Sequence, residues 1–301
     1  MQLGPDLFYQ CPQCGKVIKR GSMFSGNTFG AKQYSDGRMF APMMSEYPRI
    51  IECPECGNIY WLKDEYEVSG YIPLKKHPLI SQEEYEEKEY FARRNLDANF
   101  LNPHLYNEAL TSKVYQTREE EIFLRIRFWW CVNDKIRAVL DGNPFNNEED
   151  IRKIVIRKVK EEFRSGQYIC DYMKDFFERI EKEVKEISAL ETSYLKKRKG
   201  ARSRNYYEET NCVDNMINLI SMLTEDNREL SKSENNEENA YEIENNIFMI
   251  AELHRNLGNF EECKNILKNI TNPDSLWLKE LFEEECVKEN KLVFLIKRKN
   301  F

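Results

Sequence analysis

The sequence predicts an α+β protein: a small N-terminal β module followed by a mostly α-helical region. Two observations carry this. Eight of the 12 glycines fall in residues 1–70, and seven of the 10 prolines fall in residues 1–78. Glycine and proline mark turns and interrupt helices, so the first part is turn-rich and the remainder is free to be helical. The charged share is 32% and the hydrophobic share 41%, with a mean hydropathy of −0.71. Such a chain suits half-exposed helices better than a buried parallel sheet. The expected domains are residues 1–78 and 79–301, with the boundary between Tyr71-Ile72-Pro73 and His77-Pro78.

The N-terminal module carries the strongest motif. Cys11-Pro12-Gln13-Cys14-Gly15 is repeated as Cys53-Pro54-Glu55-Cys56-Gly57. Two cysteines three apart on a tight turn aim both sulfurs at one point. The glycine that follows lets the backbone turn its amides toward them. Two such knuckles make a closed, tetrahedral four-sulfur site, the donor set of structural zinc. Cys11, Cys14, Cys53 and Cys56 are therefore expected to hold one structural Zn²⁺. Iron is the competing metal, because a rubredoxin uses the same pair of knuckles. Four thiolates leave no open coordination position, so catalysis at the metal is not expected.

The 38 residues between Cys14 and Cys53 exceed an ordinary loop and are expected to add strands. Asp36-Gly37 reads as a hairpin turn. Phe24, Phe29, Tyr34 and Phe40 alternate there with small residues, near Lys32 and Arg38. They can form a stacking surface for a peptide or single-stranded nucleic acid. The favoured reading makes them core, because a small β module has little else to bury.

Helices follow. Ser81-Gln82-Glu83-Glu84 reads as an N-cap with an acidic first turn. Apolar faces at helical spacing run through Ile122, Ile126, Trp129, Trp130, Ile136 and Leu140, through Ile169 to Ile187, and through Val213, Met216, Ile217, Ile220 and Leu223. Trp129-Trp130 reads as core. Ile151–Ile156 fits either helix or strand, and helix is favoured because the acidic Glu148-Glu149-Asp150 reads as a first turn. Residues 231–239 contain no apolar side chain and read as a loop.

In residues 244–277, Ala251, Leu253, Leu257-Gly258-Asn259-Phe260, Cys263, Leu267 and Ile270 follow the spacing of a tetratricopeptide repeat. Gly258 stands where the first helix must stop. Ala251 and Cys263 fall where the two helices approach closely, and Pro273 closes the unit. One repeat cannot bury its own face, so neighbouring helix pairs are expected at 205–230 and 274–289. The two parts together resemble bacterial proteins that join a double-knuckle zinc ribbon to a tetratricopeptide-like helical tail. The resemblance implies a zinc-binding scaffold and supplies no activity.

Charge and the remaining motifs narrow the function. The net charge is −7. Residues 1–80 carry nine basic and eight acidic groups, so the cysteine module lacks the basic footprint usual for nucleic-acid binding. Lys196-Lys197-Arg198-Lys199, with Arg202 and Arg204, is a basic run that can hold phosphates. The favoured reading is the basic last turn of a helix, suited to the helix dipole, running into an exposed linker. His77, His104 and His254 are the only histidines, and none stands at ligand spacing to a cysteine pair. No phosphate-binding glycine loop and no paired His-Glu helix motif occurs. No enzyme activity is expected.

The nine cysteines are odd in number, and Cys131, Cys170, Cys212, Cys263 and Cys286 are scattered through helical sequence. That pattern fits buried thiols in a reducing cytoplasm. No apolar run is long enough to cross a membrane, and Met1 to Gln10 does not read as a secretory leader. The expected function is a zinc-binding scaffold whose helical region holds a protein partner, with no membrane association. The alternatives are a nucleic-acid binder, using the ribbon aromatics and residues 196–204, and a rubredoxin-like iron electron carrier.

Overall fold

The computed structural model describes residues 1–72, 81–83, 86, 96–140, 212–233 and 237–297. The expected domain boundary at 73–78, His77, the helical face at 169–187, the segment 151–156, Cys170 and the basic run 196–204 lie outside the described residues. The architecture is α+β, with short strands N-terminal and helices C-terminal. Two compact units form: Met1–Phe128 together with the C-terminal residues from Ile296, and Trp129–Leu295.

The first unit is built from hairpins. β1 (Gln2–Leu3) pairs with β4 (Met23–Ser25). β2 (Asp6–Gln10) lies between β3 (Val17–Arg20) and β9 (Glu67–Ile72), antiparallel to both. β10 (Leu96–Asp97) completes this four-stranded sheet parallel to β3. β5 (Lys32–Gln33) with β6 (Met39–Phe40), and β7 (Ile50–Glu52) with β8 (Ile59–Trp61), are separate antiparallel pairs. The β5–β6 turn is the one expected at Asp36-Gly37: Gly37 has φ 78°, and Asp36 Oδ1 accepts the Arg38 amide. Tyr9, Cys11, Ile18, Ile51, Cys53, Tyr60 and Leu62 pack into one core, so the cysteines are part of what holds the unit together.

Two helices begin in this unit. α1 (Pro103–Thr111) has proline in its first turn and is capped by Asn102, whose Oδ1 accepts the Leu105 amide. α2 (Arg118–Leu140) opens with a reciprocal cap. Thr117 Oγ1 accepts the Glu120 amide, and Glu120 Oε2 reaches back to the Gln116 amide. The boundary between the units falls inside α2, after Phe128.

The second unit contains α3 (Cys212–Leu230), α4 (Glu237–Leu257), α5 (Phe260–Leu267) and α6 (Leu276–Val287). α4 and α5 make a helical hairpin. Gly258 breaks it at φ 84°, a left-handed conformation that disfavours a Cβ. Ala251 and Cys263 are both fully buried there, in a core with Leu267, Ile270, Phe282 and Cys286. Pro273 opens a short 3₁₀ turn before α6.

The loop expected over 231–239 is shorter, because α4 already begins at Glu237. The α3 face also differs from the periodic reading. Cys212, Asn215, Met216, Leu219 and Leu223 are buried, while Ile217 is exposed. In α2, Leu124, Phe128, Trp129 and Val132 are fully buried, whereas Ile122 and Ile126 are only half-buried. α2 carries apolar side chains around most of its circumference, so its period alone does not fix which stripe faces inward.

Candidate metal centre

Two hairpins present the cysteines in the same way. β2 runs into Cys11-Pro12-Gln13-Cys14-Gly15 and returns as β3; β7 runs into Cys53-Pro54-Glu55-Cys56-Gly57 and returns as β8. In the first, the Cys11 amide donates to the Lys16 carbonyl and the Gly15 amide to the Cys11 carbonyl. In the second, the Cys53 amide donates to the Asn58 carbonyl and the Gly57 amide to the Cys53 carbonyl. Gly15 and Gly57 have φ 74° and 72°, the left-handed conformation that each knuckle needs.

The structure brings together all four cysteines singled out by the motif. Their Sγ atoms lie within 4.8 Å of one another. Across the hairpins, Cys11 Sγ is 3.7 Å from Cys56 Sγ, and Cys14 Sγ is 3.6 Å from Cys53 Sγ. The thiols are free, and these gaps are far too long for a disulfide bond of about 2.05 Å. A tetrahedron of sulfurs about 2.3 Å from a central zinc has edges of about 3.8 Å. The spacing and chemistry of the donor set therefore fit a four-thiolate metal ion. Cys11 and Cys53 are buried, while Cys14 and Cys56 face outward.

The sulfurs also set one another's protonation. Burial pushes the Cys11 thiol up, but the Cys14 and Gln13 amides and the neighbouring thiols outweigh it and bring it to about 7. At Cys56 the Asn58 amide favours the thiolate. Partial desolvation and the three other cysteines prevail, and the thiol is pushed up to about 12. One negative charge in the cluster thus raises the cost of the next. A cation at the centre reverses that cost. Tyr60 packs into this core, and its hydroxyl is buried without a hydrogen-bond partner among the described residues. Burial, followed by the charges of the sulfurs, raises its pKa. Among the described residues, these four cysteines are the only cluster of three or more potential metal donors.

The aromatic residues of the 23–48 excursion require a correction. Tyr34 is core, as expected. Phe24 and Phe29 are 61% and 84% exposed, and Phe40 lies at the surface with Met39, Met43 and Met44. The strands here are two or three residues long and cannot cover these side chains. The excursion therefore presents an apolar surface. Arg38 is buried against it: its guanidinium sits 4.8 Å from the centre of the Phe40 ring and binds Glu46.

The histidines remain apart from the cysteines. His104 is exposed and faces Glu108. His254 is half-buried in α4; desolvation lowers its pKa against the opposing pull of Glu262. Cys212, Cys263 and Cys286 are buried free thiols. Trp129 is core and donates through Nε1 to Asn256 Oδ1 at 2.9 Å.

Sequence reading missed the network around that asparagine. Glu252, Arg255 and Asn256 are all completely buried. Arg255 forks onto the Glu252 carboxylate and donates to the Asn290 and Leu292 carbonyls, while Asn256 Nδ2 donates to the Lys291 carbonyl. The signal lay in three polar residues adjoining the apolar stripe of the repeat motif. Compared with protein-family models, curated proteins and solved structures, the chain gives no match.

Proposed function

We propose that Cys11, Cys14, Cys53 and Cys56 hold one structural zinc ion and that the protein is a binding scaffold acting in the cytoplasm. In this reading the zinc-stapled module and a tetratricopeptide-like helical tail hold a protein partner and carry out no catalysis. The observation that carries the metal assignment is the convergence of four sulfurs at spacings close to the edges of a zinc–thiolate tetrahedron. Binding metal at such a site contributes on the order of 10 kcal/mol to folding of the module. The helical hairpin broken at Gly258, with Ala251 and Cys263 at its crossing, supports the tetratricopeptide-like reading. The exposed phenylalanines and methionines of residues 24–44 support partner binding, since this short excursion leaves six large apolar side chains to solvent, more than scattered surface residues need. The buried free thiols suit a reducing compartment.

Elemental analysis of the purified chain, with absorbance at 260 and 280 nm, tests the reading. It predicts one zinc per chain and no co-purified nucleic acid. Iron with visible colour would replace the scaffold by an electron carrier. A 260 nm signal that falls in salt would replace it by a nucleic-acid binder. Capture experiments with the zinc-loaded chain then test for a protein partner.

A further inference from the structure

Two nearly buried arginines of the first unit converge on one carboxylate. Arg38 and Arg127 are 7% and 6% exposed. Arg38 Nη2 lies 2.9 Å from Glu46 Oε2, while Arg127 Nη1 binds Glu46 Oε1. Each guanidinium also rests on a ring: Arg38 on Phe40 at 4.8 Å, and Arg127 on Phe100 at 4.7 Å. Phe123 stands 5.9 Å from Arg127, and the exposed Arg49 lies 5.4 Å from the same ring.

The two halves of this pairing are held differently. The arginines are sunk against aromatic side chains, one within the β5–β6 hairpin and the other on α2. Glu46 sits outside any strand or helix, in an exposed run of residues, with its side chain 46% exposed. The guanidinium pair is therefore the built part, and the carboxylate is the part reached from solvent. Phe40 and Phe100 both present partly exposed rings, and Met43 and Met44, which follow Phe40 closely in the chain, are exposed as well. A planar two-oxygen anion flanked by apolar groups matches this arrangement in charge and shape.

We propose that Arg38 and Arg127 form a carboxylate clamp for an acidic, aromatic-flanked peptide segment of a protein partner, with Glu46 as its resident occupant. The incoming carboxylate takes the place of Glu46, and the flanking apolar side chains cover Phe40, Phe100 and Met43. Exchanging one carboxylate for another keeps the buried guanidinium charges compensated, whereas an uncharged ligand would leave them exposed to the cost of burial. The proposal rests on the scaffold reading above and names the chemistry that the scaffold selects.

The test uses the full zinc-loaded chain and a short fluorescein-labelled peptide in which glutamate alternates with phenylalanine. Anisotropy should show binding to the native chain. Glu46→Gln should bind about tenfold more tightly, because the internal competitor is gone and one charge-assisted contact becomes available. Arg127→Met should lose binding, and the same peptide with glutamine for glutamate should fail on every variant. Arg127→Lys, which retains the charge but not the planar guanidinium resting on Phe100, should bind weakly; metal content and thermal unfolding establish that each variant is folded.

If Glu46→Gln only lowers thermal stability and gains no affinity, the pairing is structural and the clamp is overturned. Equal binding of the glutamine peptide overturns it too, as does tighter competition by oligothymidylate. Failure of the scaffold reading is separable: a chain that captures a partner equally with or without Arg127→Met retains that reading and loses only the clamp.

Discussion

Gly15 and Gly57 occupy equivalent places in two hairpins and share one backbone conformation, with φ 74° and 72°. Their amides donate to the carbonyls of Cys11 and Cys53 respectively, at 3.0 and 2.9 Å. The duplicated motif is thus a duplicated local structure. The register carries the correspondence further: Tyr9 pairs with Ile18 across the first hairpin, and Ile51 with Tyr60 across the second. Each knuckle thus rises from a Tyr/Ile cross-strand pair, with tyrosine on the leading strand in one case and on the returning strand in the other.

That equivalence predicts the effect of adding a methyl group. A Cβ at Gly57 meets no atom closer than 3.9 Å, so Gly57→Ala tests backbone strain with little steric clash. The left-handed conformation costs an L-residue about 1–2 kcal/mol. Gly15→Ala adds a contact at 3.2 Å with the end of the Gln10 side chain, which can move aside. Both variants should retain metal while losing about 1–2 kcal/mol in urea unfolding of the first unit. Unchanged unfolding midpoints would show that these positions do not need glycine.

Metal uptake should depend on pH with a definite sign. Ionising one thiol raises the cost of the next, and Cys56 at about 12 is protonated at neutral pH. Bound metal requires thiolates, so binding releases protons, and affinity must rise with pH. Cys11 at about 7 supplies the first thiolate near neutrality and loses it as pH falls. Chelator competition from pH 8 down to 6 should show progressively weaker binding. Cys53→Ser should abolish stoichiometric metal and unfold residues 1–70 while sparing most helical circular dichroism. Stoichiometric metal in Cys53→Ser would defeat the ligand assignment.

These features were legible to different depths. The knuckles were readable because a metal site needs fixed residue types at fixed spacing, and Gly258 because a helix stop needs a conformation that side chains resist. The burial of Cys212, Asn215, Met216, Leu219 and Leu223, in place of Ile217, was not. Ile217 and Leu219 are equally apolar, and the choice is made by neighbouring elements. The exposure of Phe24 and Phe29 was misread for a related reason: a composition rich in aromatics suggests core, but strands of two or three residues lack the area to enclose them. The Arg38–Glu46–Arg127 pairing spans 81 residues between Glu46 and Arg127 and leaves no local signal.

The buried Glu252–Arg255 pair predicts a large, asymmetric mutational response. Arg255→Met leaves the Glu252 carboxylate buried without its guanidinium and removes the donors that hold the Asn290 and Leu292 carbonyls. Breaking one side of such a pair costs about 3–5 kcal/mol. Replacing both, as Arg255→Met with Glu252→Leu, removes the stranded charge and should recover part of the loss. Urea denaturation followed by helical circular dichroism measures the difference. Equal losses in the single and double variants would show that the carbonyl contacts, rather than the stranded carboxylate, dominate.

His254 supplies an acid-sensitive term in the same unit. Desolvation lowers its folded pKa below the usual 6.5, and the charge of Glu262 only partly offsets this. Its Nδ1 is buried without a hydrogen-bond partner among the described residues, so the protonated ring gains no acceptor there. Below pH 6.5 the unfolded chain therefore binds the proton more readily than the folded one. Stability contributed by the neutral ring is fully present above pH 6.5 and declines as pH falls through 6.5 toward the lower folded value. His254→Gln should remove this term. Comparing urea midpoints of the two chains at pH 7.5 and 5.5 isolates it from the other titrating groups: the native chain should lose more stability on acidification than the variant. An equal loss in both would mean that α4 opens enough to solvate the imidazole before the unit unfolds.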